Sequence, residues 1–206
     1  INGGQVDLAI GAYSEYKEVQ GNEVIISNST GEEHVGDVYA SATGSDNNLL
    51  NSNIVTWKDG DVQGNIFGGA LYAFDFSTGD SGFTPVENAG GIFNVYHSSG
   101  SSSKTIAEGK SIAGFDRMNF YLSGDVQAGS VIIDNSQGNA VDMNNVKAVT
   151  LQNDPDKTKK LINTFKKDDV ITLISNTTGE KAYEDATLTA GGLDYVFNVN
   201  ANGEAL

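Results

Sequence analysis

The side chains that could do chemistry are few. His34 and His97 are the two imidazoles in 206 residues. Neither has a second His or a carboxylate at metal-ligand spacing, and no His-Glu-x-x-His occurs. Both read as surface or packing residues. No Gly-x-Ser-x-Gly elbow is present to support a nucleophilic serine. A glycosidase needs two carboxylates flanking one bond, and a lyase wants a basic residue beside a bound cation. Arg117, the single arginine, sits in an apolar strand context. Asp75, Asp80 and Glu87 fall in a loop-like stretch. Oxygen ligands for calcium could come from Asp59 and Asp61, or from Asp46 with Asn47 and Asn48. The EF-hand spacing and the Gly-Gly-x-Gly-x-Asp nonapeptide are both absent, so these groups read as solvated turns. The sequence therefore assigns no catalytic residue, no cofactor and no metal. The alternative it leaves standing is a polysaccharide-acting lyase or hydrolase.

Binding is the chemistry better represented. Trp57 and the run Ala70-Leu71-Tyr72-Ala73-Phe74-Asp75-Phe76 concentrate aromatic rings. In a strand, Tyr72, Phe74 and Phe76 share one face. That face is either core or a ligand-binding strip, and the large area of three rings favours core.

Composition says how such residues are held. Hydrophobic residues make up 38% of the chain, Gly numbers 25 and Pro only 2. Gly, Asn, Asp and Ser between short apolar runs describe many tight turns joining short strands. The 27 acidic residues against 12 basic ones give a net charge of −15, which repels phosphate backbones and argues against nucleic-acid binding. With no cysteine, disulfides and thiolate ligands are excluded. No apolar run approaches membrane-spanning length. The chain opens at Ile1 in mid-pattern, without a charged n-region or an apolar h-region, and reads as a piece of a longer polypeptide.

A repeat of about 28 residues runs through residues 1–103. Asp37-Val38-Tyr39-Ala40-Ser41, Asn65-Ile66-Phe67-Gly68-Gly69 and Asn94-Val95-Tyr96-His97-Ser98 share an Asx, β-branched, aromatic, small pattern, and Ile10 begins a degenerate copy. Between the copies lie Asn22-Glu23-Val24-Ile25-Ile26 and Asn53-Ile54-Val55-Thr56-Trp57. A unit this short cannot bury its own apolar face, but stacked units can. The pattern predicts an all-β parallel solenoid, with Asn22 and Asn53 stacked at a corner. An antiparallel sandwich is the rival.

The texture changes after the Ser-rich stretch 98–103, and residues 104–206 read as a second, C-terminal portion. Ile112 to Leu122, Val131-Ile132-Ile133 and Val146 to Leu151 predict strands. Asp154-Pro155-Asp156 reads as a helix start, with Leu161, Ile162 and Phe165 on one apolar face, which predicts a short α-helical insertion near 155–166. Val170 to Ile174 returns to sheet, and strands near 183–189 and 193–200 close the chain.

Three passages carry a resemblance: Asn53 to Gly69, Ile112 to Leu122, and Phe165-Lys166-Lys167-Asp168-Asp169-Val170-Ile171-Thr172-Leu173-Ile174. Together with Asp194 to Val199 and Asn202-Gly203, they resemble the C-terminal part of a bacterial autotransporter passenger. The family pattern has Gly where this chain has Asp168. The resemblance implies a right-handed, single-stranded parallel β-helix at the surface of a Gram-negative cell, an outer-membrane barrel elsewhere in the polypeptide, and no catalysis. It implies adhesion, aggregation or a scaffold role, with a host surface protein, a glycan or another copy as partner.

Overall fold

The computed structural model describes residues 5–27, 35–44, 50–74, 76–97, 103–156 and 160–206. These are strands, turns and irregular segments, with no helix among them. Consequently no helix among the described residues is long and apolar enough to cross a membrane.

One sheet organises the molecule. Its five strands are Glu23–Ile26, Ile54–Trp57, Gly91–Tyr96, Phe115–Leu122 and Ala148–Asn153, each hydrogen-bonded to the next in chain order. Every pairing is parallel, at offsets of 31 (Glu23 to Ile54), 38 (Ile54 to Ile92), 25 (Ile92 to Arg117) and 31 (Arg117 to Ala148). Parallel neighbours cannot be joined by a tight hairpin, so the chain makes a full return between them. The sheet continues across residue 103, so both portions contribute strands to it.

Alternation along these strands builds the core. Val24, Val55, Phe93, Met118 and Val149 occupy one register row, and Ile26, Trp57, Val95, Phe120 and Leu151 another. All ten are buried, within one hydrophobic cluster that extends to Leu206. Trp57 stacks near Phe93 at 6.3 Å between centroids, and Phe93 on Phe115 at 4.8 Å. On the opposite face the alternate residues form a polar ladder. Asn94 Nδ2 donates to Thr56 Oγ1 (3.1 Å), Asn119 Nδ2 to Asn94 Oδ1 (2.8 Å), and Thr150 Oγ1 to Asn119 Oδ1 (2.8 Å). Identical stacking needs recur on each pass, so short polar side chains at one register position satisfy one another.

Two further sheets stack in the same way. Val6–Ile10, Val35–Tyr39, Ile66–Phe67 and Ile112–Ala113 pair in parallel, as do Tyr13–Ser14, Ala42–Thr43 and the start of Ala70–Phe74. Gly114 takes the chain from one sheet to the next between Ala113 and Phe115 at φ 73°, a left-handed conformation that L side chains resist. Its carbonyl oxygen lies 2.2 Å from where a Cβ on Gly68 would sit, so that corner admits no side chain at 68.

The repeat holds where its residues truly pair. Val38 pairs with Ile66, an offset of 28. Asn22 and Asn53 do stack: Asn53 Oδ1 accepts from both the backbone N–H and the Nδ2 of Asn22, each at 3.1 Å, while Asn53 Nδ2 donates to the Val19 carbonyl. Two matches need correction. Ile66 continues to Ile112 rather than to Val95, which belongs to the five-stranded sheet between Trp57 and Phe120. Ile10 pairs with Tyr39, so the first copy is centred on Ala9.

The α-helical insertion near 155–166 is also corrected. Residues 157–159 lie outside the described residues, and the rest of the segment is irregular and non-helical. Asp154 uses its Oδ1 to accept from the Asp156 N–H at 2.8 Å, a local Asx turn rather than a helix cap. From Leu161 to Phe165 burial alternates residue by residue, and Ile162 is 69% exposed instead of sharing a face with its neighbours. Leu161 and Phe165 pin the segment to the core, with Phe165 edge-on to Tyr195 (5.5 Å) and Phe197 (5.2 Å). These tertiary contacts outweigh local helix propensity. Asp168, where the resemblance expects Gly, does adopt φ 71°.

The far end is closed by antiparallel pairing. Ala186–Ala190 pairs with Leu193–Phe197, Glu180–Ala182 with Asn200–Asn202, and the Leu206 carbonyl accepts from Leu173 N–H at 2.6 Å.

Phe120 is fully buried between Val95 and Leu151 in its row. Phe120→Ala should lower unfolding free energy by about 3–5 kcal/mol in a urea titration. A loss near zero would mean that the row does not form the core.

Candidate functional site

The aromatic run leaves the parallel stack. Ala70 and Leu71 pair with Ala42 and Thr43, but beyond them the strand Ala70–Phe74 turns back on Ser81–Pro85 as an antiparallel hairpin. Tyr72 lies opposite Phe83 and Phe74 opposite Ser81. Cross-strand aromatic pairs are what such a hairpin needs once it has left the core. The Tyr72 and Phe83 rings are 5.1 Å apart, and Phe83 reaches Tyr39 at 4.7 Å, which in turn stacks on Phe67 at 5.2 Å. Tyr13 meets Tyr72 edge-on at 6.2 Å.

The core reading is therefore overturned for Phe74 and Phe76. Tyr72 is half-buried, Phe74 is 46% exposed and Phe76 is 93% exposed. Phe74 and Phe76 touch only edge-on, at 4.9 Å, near the hairpin tip. Tyr72 and Phe74 are alternate residues of one strand, but Phe76 lies past its end in the turn, and sequence alternation could not show that the strand had left its parallel partner. Trp57, by contrast, is core, and its Nε1–H donates to the Gly60 carbonyl at 2.8 Å.

Polar handles border this strip. Tyr39 Oη donates to Asp37 Oδ2 at 3.0 Å, and Tyr13 Oη donates to Glu15. The bond to Glu15 leads the causes that push the Tyr13 phenol up to about 12, and burial ahead of the Asp37 charge raises that of Tyr39. Both tyrosines stay protonated across physiological pH. The strip thus offers ring faces and edges with the neutral Tyr13 hydroxyl beside Glu15, over a buried Tyr39, a surface suited to sugar rings or to an apolar protein patch.

The other candidates are distributed as follows. Asp61 Oδ1 accepts from Thr105 N–H (3.0 Å) and Oγ1 (2.9 Å), and Asp59 Oδ1 from Gly60 N–H (2.9 Å). Both turn carboxylates thus serve the backbone. Asp46, Asn47 and Asn48 lie outside the described residues, as does His34. Among the described residues no group of three or more His, Asp or Glu side chains converges on a metal position. Arg117 lies on the outer face of its strand, in the row of Ile92 and Ala148. The Glu87 carboxyl is raised above its ordinary range, first by desolvation and then by the Asp142 charge, with an Asn145 side-chain hydrogen bond opposing.

His97 was read as surface or packing, and it is buried, 7% exposed. Its Nδ1 is held by the Ser123 carbonyl at 2.9 Å. The ring borders a cleft of about 520 Å³ lined by Ser103, Asp125, Gln127, Ser130 and Asn163 among others. Nearby Lys104 is itself buried, with Nζ donating to the Lys58 carbonyl at 2.9 Å above the Trp57 ring. No sequence motif marks this cleft, because its lining comes from chain segments far apart. Compared with protein-family models, curated proteins and solved structures, the chain matches none.

Two outcomes follow from this geometry. Phe74→Ser and Phe76→Ser, separately or together, should change unfolding free energy by no more than about 0.5 kcal/mol each, since exposed rings hold little of the fold together. A large loss would show that the hairpin tip is packed. Desolvation lowers the His97 pKa, with Lys104 adding to the effect while the Ser123 carbonyl and Asp125 oppose it. The folded chain thus binds fewer protons than the unfolded chain as pH falls below about 6.5, and stability drops there. His97→Gln should flatten the melting temperature between pH 7.5 and 5.5 relative to the parent, and equal slopes would remove His97 from the linkage.

Proposed function

We propose that this chain is a stretch of right-handed, single-stranded parallel β-helix from a bacterial autotransporter passenger, displayed outside the cell and acting by presenting surface. The observation that carries the reading is the five-stranded parallel sheet, in which successive returns of the chain add one strand each. Right-handed crossovers are the rule for parallel strands joined in this way. Rows of matched residues, polar ladders and a closing set of antiparallel strands are the features expected of such a stack. The autotransporter resemblance of Asn53 to Gly69, Ile112 to Leu122 and Phe165 to Ile174 supplies the cellular setting.

Adhesion is the role favoured by the hairpin. Exposed aromatic rings on a protruding element cost solubility and contribute nothing to the core, so a contact with a partner gives them a use. The partner is a host surface protein, a glycan or another copy of the passenger. A purely structural role in extending the passenger is the version of this reading in which the hairpin is idle.

The alternative is a polysaccharide-acting enzyme on the same scaffold. Its specific support is Glu87, whose raised carboxyl beside Asp142 has the character of a general acid. Glu87→Gln should abolish any release of reducing or unsaturated ends from uronate and neutral polysaccharides if that alternative holds.

Protease shaving of intact source cells tests the primary reading. The segment should disappear from a blot while a periplasmic control survives. Protection until the cells are lysed would reject surface display. Where the segment is accessible, Phe74→Ser with Phe76→Ser should reduce cell adhesion or aggregation severalfold, and unchanged adhesion would leave the structural version in place.

A further inference from the structure

The cleft beside His97 is built from four separate parts of the chain. His97 follows the strand Gly91–Tyr96, Ser103 precedes the strand Lys104–Thr105, Asp125 to Ser130 form the turn that leads into the strand Val131–Asp134, and Asn163 comes from the irregular segment pinned by Leu161 and Phe165. These parts are fixed in place. Val126 is buried under the turn, Asn163 Nδ2 donates to the Val126 carbonyl at 3.1 Å, Gln127 N–H donates to Ser130 Oγ at 3.0 Å, and Gly129 N–H donates to the Val170 carbonyl at 2.7 Å.

Within this frame His97 stands out. It is more than nine-tenths buried, and its Nδ1 is committed to the Ser123 carbonyl as donor. That bond selects the tautomer whose Nε2 carries a lone pair. Nε2 has no protein partner among the described residues and is not one of the atoms shut away from solvent, so its lone pair is open to the cleft. The neighbouring groups add both acceptors and donors. Asp125 is an acceptor. Asn163 has given one amide N–H to Val126 and keeps its second N–H and its oxygen. Ser103, Ser130 and Gln127 can take either role. A complementary ligand must therefore bring groups that donate to His97 Nε2 and Asp125 and can also accept, as hydroxyls do.

Charge narrows the class. Among the described residues no Lys or Arg lines the cleft, so no side-chain cation of theirs is there to pair with an anion. A cation would gain from Asp125 but would approach the buried ammonium of Lys104, whose charge already acts on the His97 ring. A neutral ligand with hydroxyls fits both constraints, and about 520 Å³ is within the range of small-molecule sites. Ala128, Gly129 and Val131 give the lining the apolar patches that the C–H face of a sugar requires.

We propose that this cleft binds a neutral, polyhydroxylated ligand about the size of one pyranose ring, with His97 Nε2 and the Asp125 carboxylate accepting its hydroxyl protons. The site is separate from the aromatic hairpin and does not depend on surface display.

The test is imidazole NMR on the purified chain, with the His97 signals assigned by loss in His97→Gln. Glucose, galactose, mannose and N-acetylglucosamine are titrated individually, with ethanolamine and inorganic phosphate as charged probes. At least one sugar should give a saturable shift of the His97 Nε2 resonance. Asp125→Asn, at an exposed position, should weaken it roughly tenfold or more, and Ser103→Ala severalfold. Three results overturn the proposal. One is the absence of a saturable response to every sugar at tens of millimolar. Another is a response undiminished in both variants while their amide spectra remain native. The third is saturation by ethanolamine or phosphate in place of the sugars.

Discussion

Parallel pairing between one return of the chain and the next is the constraint on which everything else in this molecule depends. A parallel strand must find its partner a full return away, and here that distance varies from 25 to 38 residues along a single sheet. What cannot vary is register. Each return must bring an apolar residue back to the same row and a small residue back to the same corner. The rows from Val24 to Val149 and from Ile26 to Leu151 meet the first demand. Gly68 beneath the Gly114 carbonyl meets the second. Loop length is free, and so the repeat is legible in the strands and blurred between them.

That distinction explains what could be read from sequence. The match of Val38 with Ile66 was visible because only 28 residues separate them and both flank an aromatic. The corner pair Asn22 and Asn53 was visible because each opens an apolar run. Val95 was misassigned because a 29-residue offset coincided with a real pattern in a different sheet. The all-β character followed from short Val, Ile, Tyr and Phe runs without helical period, and the parallel pairing from a repeat too short to bury its own apolar face. Leu161 and Phe165 misled for a subtler reason. An interval of four residues fits one helical face and also fits alternate positions of an extended chain, and Ile162 alone discriminates between them. Its exposure is a tertiary outcome that no local rule supplies.

The candidate sites were legible to different degrees. The hairpin rings were identified as a group, yet their exposure depends on the strand leaving its parallel partner after Leu71. The His97 cleft had no signature at all. Its residues are ordinary polar side chains in Ser- and Gly-rich turns, and only the fold gathers them. A buried histidine with one nitrogen spoken for is a physical observation rather than a motif.

The antiparallel hairpin from Ala70 to Pro85 closes its own hydrogen bonds beyond Leu71 and re-enters at Val86, whose N–H donates to the Gly69 carbonyl. Its two ends are therefore held next to each other by the stack, whatever lies between them. The tip of the segment behaves as an exchangeable cassette. Between Phe74 and Ser81 the sequence can drift, lengthen or be swapped without disturbing a core row, while Ala70 and Phe83 stay tied to Tyr39, so the tip is free to change faster than the scaffold that carries it.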